Sequence, residues 1–63
     1  MAKKEKVVIH LYDERGNDKA SRVSVGVREV YRGSYESCES VVTAISKSFD
    51  NIGVDYDSEE KEM

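Results

Sequence analysis

The chain has 63 residues, enough for one small domain, and a single core of that size supplies only about 3–5 kcal/mol of stability. One cysteine and one histidine exclude an intrachain disulfide and a closed Cys/His zinc site, so self-association is the expected source of further stability. The net charge of −3 argues against a strongly basic nucleic-acid-binding domain. The short apolar runs predict neither a membrane-spanning helix nor a signal peptide, so we expect a cytoplasmic protein.

The first predicted element is a strand over residues 5–13, where β-branched and aromatic side chains alternate with period two. Both faces of this strand are largely apolar, so we expect it to be central in a sheet or covered on both sides. Residues 14–20 contain Gly16, Asn17 and Asp18, which favour turns, and they are predicted to form a hairpin loop.

A second strand is predicted over residues 21–32. A valine at every second position from 23 to 27 gives a clean alternation, but the pattern slips by one residue at Glu29 and Val30. A bulge at Gly26 or at the step from Arg28 to Glu29 would return Val30 to the core side, and the sequence does not choose between these two sites.

An amphipathic helix is predicted over residues 35–52. Ser34 is placed to cap its first turn, and Gly53 is placed to end it in a left-handed conformation. Apolar side chains recur with helical spacing along one stripe. The residues of this stripe are Cys38, Val41, Val42, Ile45, Phe49 and Ile52.

The end of the chain divides into two predicted segments. Val54 and Tyr56 alternate with Asp55 and Asp57, so residues 54–57 are expected to form a short third strand or an ordered extended segment. Residues 58–63 are predicted to be a frayed, solvated acidic tail. The folded domain is accordingly expected to cover residues 1–57.

These elements predict an α+β fold, a small β-hairpin with one amphipathic helix in ββα order, with or without a short C-terminal third strand. One helix cannot cover both faces of a hairpin whose first strand is apolar on both sides, so we expect a homodimer. Its interface is predicted to use Val8, Tyr12 and Val30, the apolar side chains left over once the helix has packed.

No residue pattern in the chain indicates catalysis. His10 has no nucleophile or orienting acid at a recognisable spacing, and a structural role on the strand is favoured for it. Cys38 lies near a helix N-terminus but also on the apolar stripe, which favours a buried structural thiol. We therefore expect no enzyme, cofactor, metal site or small-molecule substrate.

The charge of the chain is divided between its two parts. Residues 1–35 carry a net charge of +3 and residues 36–63 a net charge of −6, and many of the acids lie on elements expected to be ordered. These carboxylates are the predicted site for a basic, nucleic-acid-binding protein partner. The predicted site residues are Glu36, Glu39, Asp50, Asp55, Asp57, Glu59 and Glu60.

In size, charge layout and lack of catalytic residues, the whole chain resembles the small acidic phage-encoded inhibitors that mimic DNA, although its first half is basic and it shares no sequence motif with them. The resemblance implies that the protein occupies the nucleic-acid site of a host DNA-binding protein, in the host cytoplasm.

An alternative prediction places single-stranded nucleic acid on the hairpin itself. Aromatic side chains can stack on bases while arginines contact phosphates. The predicted residues of this face are Tyr12, Arg28, Tyr31 and Arg32.

Overall fold

The computed structural model describes residues 6–62 and contains one mixed four-stranded sheet and one α-helix, which confirms the α+β class. The elements follow the order βββαβ in place of the predicted ββα. They are β1 (Val7–Asp13), a 3-10 turn (Arg15–Asn17), β2 (Ser21–Val25), β3 (Arg28–Gly33), α1 (Tyr35–Ile52) and β4 (Tyr56–Glu62).

The strands lie in the order β3-β2-β1-β4. β1 and β2 are antiparallel, β2 and β3 are antiparallel, and β4 runs parallel to β1. A parallel neighbour requires a crossover connection, and α1 supplies it. β1 is thus an inner strand, as expected for a strand that is apolar on both faces.

The core lies between α1 and one face of the sheet. Ile9, Leu11, Val23 and Cys38 form its fully or almost fully buried centre. Most of the predicted helix stripe packs around this centre as partly buried side chains, but Ile52, at the end of α1, is 71% exposed.

The predicted long second strand was wrong, because the chain reverses within it. Val25 and Arg28 pair across a two-residue turn made of Gly26 and Val27, so residues 21–33 form a hairpin. Gly26 has φ of 62° and stands at the first central position of this turn, as in a type II′ hairpin.

The slip in the apolar pattern does come from a bulge, although at neither of the predicted sites. Val23 pairs with Tyr31 and Ser24 pairs with Glu29, so Val30 is the extra residue of β3. Val30 is 45% exposed and does not return to the core.

The prediction of a frayed tail was wrong for residues 58–62, and Met63 lies outside the described residues. β4 pairs with β1 over its whole length, from Tyr56 opposite Val7 to Glu62 opposite Asp13. β1 offers an open edge on this side, and β4 pairs with it through backbone groups, which every residue of β4 carries. The strand predicted at residues 54–57 thus begins two residues later in the structure, at Tyr56, and extends to Glu62.

The two predicted helix ends were confirmed. The hydroxyl oxygen of Ser34 accepts a hydrogen bond from the Ser37 amide at 3.2 Å, which satisfies one free amide of the first turn. Gly53 has φ of 73° and ends the helix in the left-handed conformation.

Replacement of Gly26 tests the β2–β3 turn. Gly26→Ala is expected to lower the free energy of unfolding by about 1–2 kcal/mol, because alanine is strained at positive φ. A Cβ at Gly26 would meet no atom within 4 Å, so a clash is not the cause. The matched control is Val27→Ala in the same turn, where the side chain is fully exposed and a change below about 0.5 kcal/mol is expected. Equal shifts of the two urea midpoints would contradict the turn assignment.

Candidate functional site

The strand register assigns side chains to two faces of the sheet. One face packs on α1, and among residues 6–62 no helix or strand packs on the other, which we call the open face. The side chains of the open face follow from the pairing of alternate residues. They are Val8, His10 and Tyr12 of β1, Arg22 and Ser24 of β2, Glu29 and Arg32 of β3, and Asp57, Glu59 and Lys61 of β4.

A row of cationic side chains and one tyrosine crosses the open face near the C-terminal end of β1. Arg32, Arg22, Tyr12 and Lys61 are successive cross-strand partners. The Arg22 guanidinium carbon lies 4.5 Å from the centre of the Tyr12 ring, and the His10 ring stacks on Tyr12 with 5.6 Å between ring centres. The tyrosine is therefore held in place between two neighbours.

Two carboxylates accompany the arginines of this row. Arg32 donates to Glu29 at 2.9 Å, and this hydrogen bond lowers the pKa of Glu29. The Nε atom of Arg22 lies 3.1 Å from a carboxylate oxygen of Glu14. Both arginines are thereby held close to the sheet.

The open face carries no net charge. Lys6 and Glu14 form ion pairs with Asp57 and Arg22 of that face, and with them it holds four Lys or Arg and four Asp or Glu. The remaining described residues hold four Lys or Arg against eight Asp or Glu. The eight acids are Asp13, Asp18, Glu36, Glu39, Asp50, Asp55, Glu60 and Glu62. The net negative charge of the described residues thus lies off the open face.

The seven acids predicted as one site do not form one surface. Glu36 and Glu39 are exposed near the start of α1, and Glu60 lies on the helix side of β4. We call these three carboxylates the acidic surface. The side chains of the other four acids lie elsewhere. Asp50 and Asp55 lie near the far end of α1, and Asp57 and Glu59 lie on the open face.

A shallow groove of about 270 Å³ runs between α1 and β4 beside the acidic surface. Leu11 and Val42 give it an apolar floor, while Glu39, Glu59 and Glu60 stand among its lining residues. This combination suits a side chain with an aliphatic stem and a cationic end, such as lysine or arginine.

Glu60 is fixed by Tyr35, a contact that the sequence did not predict. The Tyr35 hydroxyl donates to Glu60, whose two carboxylate oxygens lie 2.8 and 2.9 Å away. This hydrogen bond, followed by burial and the charge of Glu39, raises the pKa of Tyr35 to about 12. Tyr35 and Glu60 are 25 residues apart, so no local spacing could have indicated the pair.

The other side of the Tyr35 ring is covered by Arg15. Its guanidinium carbon lies 3.8 Å from the ring centre, and its nitrogens donate to Asp13 at 2.9 and 2.7 Å. These side-chain hydrogen bonds, together with one from the Arg15 amide, lower the pKa of Asp13. The 3-10 turn, the start of α1 and β4 are thereby joined through side chains.

The residues predicted for a nucleic-acid face are divided between both sides of the sheet. Tyr12 and Arg32 lie on the open face, whereas Tyr31 pairs with Val23 on the helix side and packs against the core. Arg28 pairs with Val25, and strand alternation therefore assigns its side chain to the helix side. Tyr31 and Arg32 are consecutive on β3, so their side chains lie on opposite faces, and the bulge at Val30 determines which face each takes. Arg22, which the prediction left out, takes the place of Tyr31 and Arg28 beside Tyr12.

The predicted dimer residues are also in two places. Val8 and Tyr12 share the open face and are half-buried, while Val30 is exposed on β3 at the edge of the sheet. The open face therefore retains an apolar centre without Val30.

The two residues considered for catalysis have structural positions. Cys38 is fully buried, burial raises the pKa of its thiol, and its Sγ lies 3.9 Å from the Gly33 carbonyl oxygen. His10 lies in the middle of the open face. Within residues 6–62 no three His, Cys, Asp or Glu side chains are grouped as metal ligands, and no helix there is long and apolar enough to cross a membrane.

No protein-family model, curated protein or solved structure matches the chain. The function is therefore inferred from the charge and geometry of its two faces.

The contact between Tyr35 and Glu60 can be tested by alkaline titration. Glu60→Gln should lower the pKa of Tyr35 from about 12 toward the ordinary value of 10, because the charged acceptor is removed. Phenolate absorbance reports the change, Tyr35→Phe identifies the component, and Glu59→Gln on the same strand is the control. In the wild type, this contact should stabilise the fold below pH 10 and lose that effect as the pH rises from 10 to about 12. A pKa of Tyr35 unaffected by Glu60→Gln would contradict the contact.

The buried position of Cys38 predicts an unreactive thiol. Alkylation of the native protein should be much slower than alkylation in urea, where the thiol is accessible. Cys38→Ala should lower the free energy of unfolding by about 1 kcal/mol or more through lost burial. Equal alkylation rates in the native and unfolded protein would show that Cys38 is not buried.

Proposed function

We propose that the chain is a non-enzymatic protein-interaction module whose acidic surface binds a basic, nucleic-acid-binding protein and blocks its nucleic-acid site. One observation carries this proposal: the whole net charge of −4 of residues 6–62 lies off the open face, on α1, the loops and the helix side of the sheet. Such a field attracts Lys/Arg-rich surfaces by the same long-range electrostatics as the phosphates of DNA.

The acidic surface is partly ordered before a partner arrives. Glu36 and Glu39 are one helical turn apart on α1, so their Cβ atoms are about 5–6 Å apart. Glu60 is held by Tyr35, which reduces the side-chain entropy lost on binding. The adjacent groove offers an apolar floor for the stem of one lysine or arginine of the partner.

The resemblance to phage-encoded DNA mimics gives this module a biological role. A small protein that occupies the DNA-binding site of a host factor would inhibit that factor in the host cytoplasm. Such a role needs fixed charge and neither cofactor nor catalysis.

Charge reversal on the acidic surface tests the proposal. The immobilised chain, in a nuclease-treated bacterial lysate, should capture a basic DNA-binding protein, and Glu36→Lys with Glu39→Lys should reduce the affinity of that protein more than tenfold. Attraction is converted into repulsion at two positions, so the loss should be largest at low salt. Glu60 is left unchanged because it also holds Tyr35.

The matched control is Asp57→Lys with Glu29→Lys, which changes the net charge equally but on the open face, at residues that do not line the groove. Affinity per chain, measured in solution with the captured protein, should change less than threefold in this control. Equal losses in the two variants would show that only total charge matters and would overturn the assignment of the site.

The alternative function, binding of single-stranded nucleic acid, has one supporting observation in the row of Arg32, Arg22, Tyr12 and Lys61. The open face as a whole is neutral, whereas nonspecific nucleic-acid affinity depends on net positive charge. A gel shift of naked DNA or RNA by the wild-type chain at physiological salt would favour this alternative and contradict mimicry.

The proposal includes a homodimer. Only four apolar side chains are buried in the described core, and one sheet face is left uncovered. A second copy is the simplest way to bury more apolar surface.

A further inference from the structure

We infer that two copies of the chain pack with their open faces together and their strands crossing at nearly a right angle. This inference rests on the homodimer of the proposed function and adds the surface, the contacts and the orientation. It does not depend on the partner of the acidic surface.

The composition of the open face favours a second copy as its occupant. Val8, His10 and Tyr12 form a half-buried apolar and aromatic centre along β1, with charged side chains on the strands around it. A nucleic acid requires a positive surface and a basic protein requires a negative one, whereas this face is neutral. A neutral face with an apolar centre and separated charges can be complementary to itself.

The charges occupy opposite corners of the face. Arg22 and Arg32 lie on β2 and β3, in the row of Tyr12, while Asp57 and Glu59 lie on β4, in the rows of Val8 and His10. From β3 to β4 is about 14 Å, and from the row of Tyr12 to that of Val8 is about 13 Å, at ordinary strand spacing and rise. The two corners are therefore joined by the diagonal of a near-square.

A two-fold axis in the plane of the interface then determines the crossing angle. The axis that exchanges the two corners runs along the other diagonal of the face. It places Arg32 over the partner copy's Asp57. It also turns the strands of one copy by about 90° relative to those of the other, which is one of the two common ways in which sheets pack. An axis along the strands would instead place Arg32 opposite Lys61 and Glu29 opposite Glu59. Among the charged side chains of the face, the diagonal axis brings only Lys61 near its own copy, at a corner where this long side chain can turn into water.

The size of the face predicts a reversible dimer. Four strands of up to seven residues give a flat area of about 20 by 23 Å at ordinary strand spacing. Such an interface is at the small end of specific ones, and micromolar dissociation is expected. The acidic surfaces of the two copies would face outward on opposite sides, so one dimer could bind two basic partners.

Reversal of the charge at one corner at a time tests this arrangement. The acid-corner variant carries Asp57→Lys with Glu59→Lys, and the basic-corner variant carries Arg22→Glu with Arg32→Glu. Each variant alone should sediment as a 7.1 kDa monomer at concentrations where the wild type is a dimer. An equimolar mixture should restore the dimer, because each corner of one variant then meets the opposite sign on the other.

Circular dichroism establishes whether the variants are folded, since Arg22 and Arg32 also pair with Glu14 and Glu29. Should the basic-corner variant unfold, Val8→Arg provides a second test, because it places a charge at the centre of the face without breaking an ion pair. A folded Val8→Arg variant should weaken the dimer at least tenfold.

Three results would overturn the inference: a monomeric wild type at several hundred micromolar, folded corner variants that each remain dimeric, or a mixture of folded variants that remains monomeric. These results are separable from failure of the proposed function. Glu36→Lys with Glu39→Lys should keep the dimer and lose the basic partner, while a folded Val8→Arg variant should lose the dimer and keep the partner.

Discussion

Parallel pairing between β1 and β4 is the constraint on which the rest of the structure depends. It makes β1 an inner strand, with hydrogen-bonded neighbours on both sides, and it requires a crossover that only α1 can provide. Because side chains alternate along a strand, the same pairing sends Glu60 toward Tyr35 and Glu59 to the opposite face. The division of the C-terminal acids between two surfaces is thus a direct result of one strand register.

The small core gives the polar contacts around it an unusual share in holding the elements together. The contact of Arg15 with Asp13 and with the ring of Tyr35 joins the first loop to the start of α1, and Tyr35 joins α1 to β4. The pKa of Asp13 is lowered, so its stabilising effect is complete above the ordinary value of 3.8 and is lost as the pH falls through the lowered pKa. The domain should therefore be more sensitive to pH extremes than one with a larger apolar core.

Local patterns in the sequence were sufficient for α1, its caps at Ser34 and Gly53, and the inner position of β1. They failed where the structure depends on distant pairing. Residues 58–62 have the composition of a solvated tail, and they form a strand because β1 offers an unpaired edge. The candidate surfaces failed for related reasons: the bulge at Val30 moved Tyr31 off the predicted face, and β4 divided the acids.

β4 has a second consequence, which concerns how wide the sheet becomes. In the described part of the chain β4 has a hydrogen-bonded neighbour on one side only, so its other side is a sheet edge that could template another strand. Five of its seven residues are charged, and four of these are acids. Stacking of identical edges would bring these like charges together, which opposes fibril growth and strand exchange. The carboxylates of β4 therefore also protect one of the two edges of the sheet.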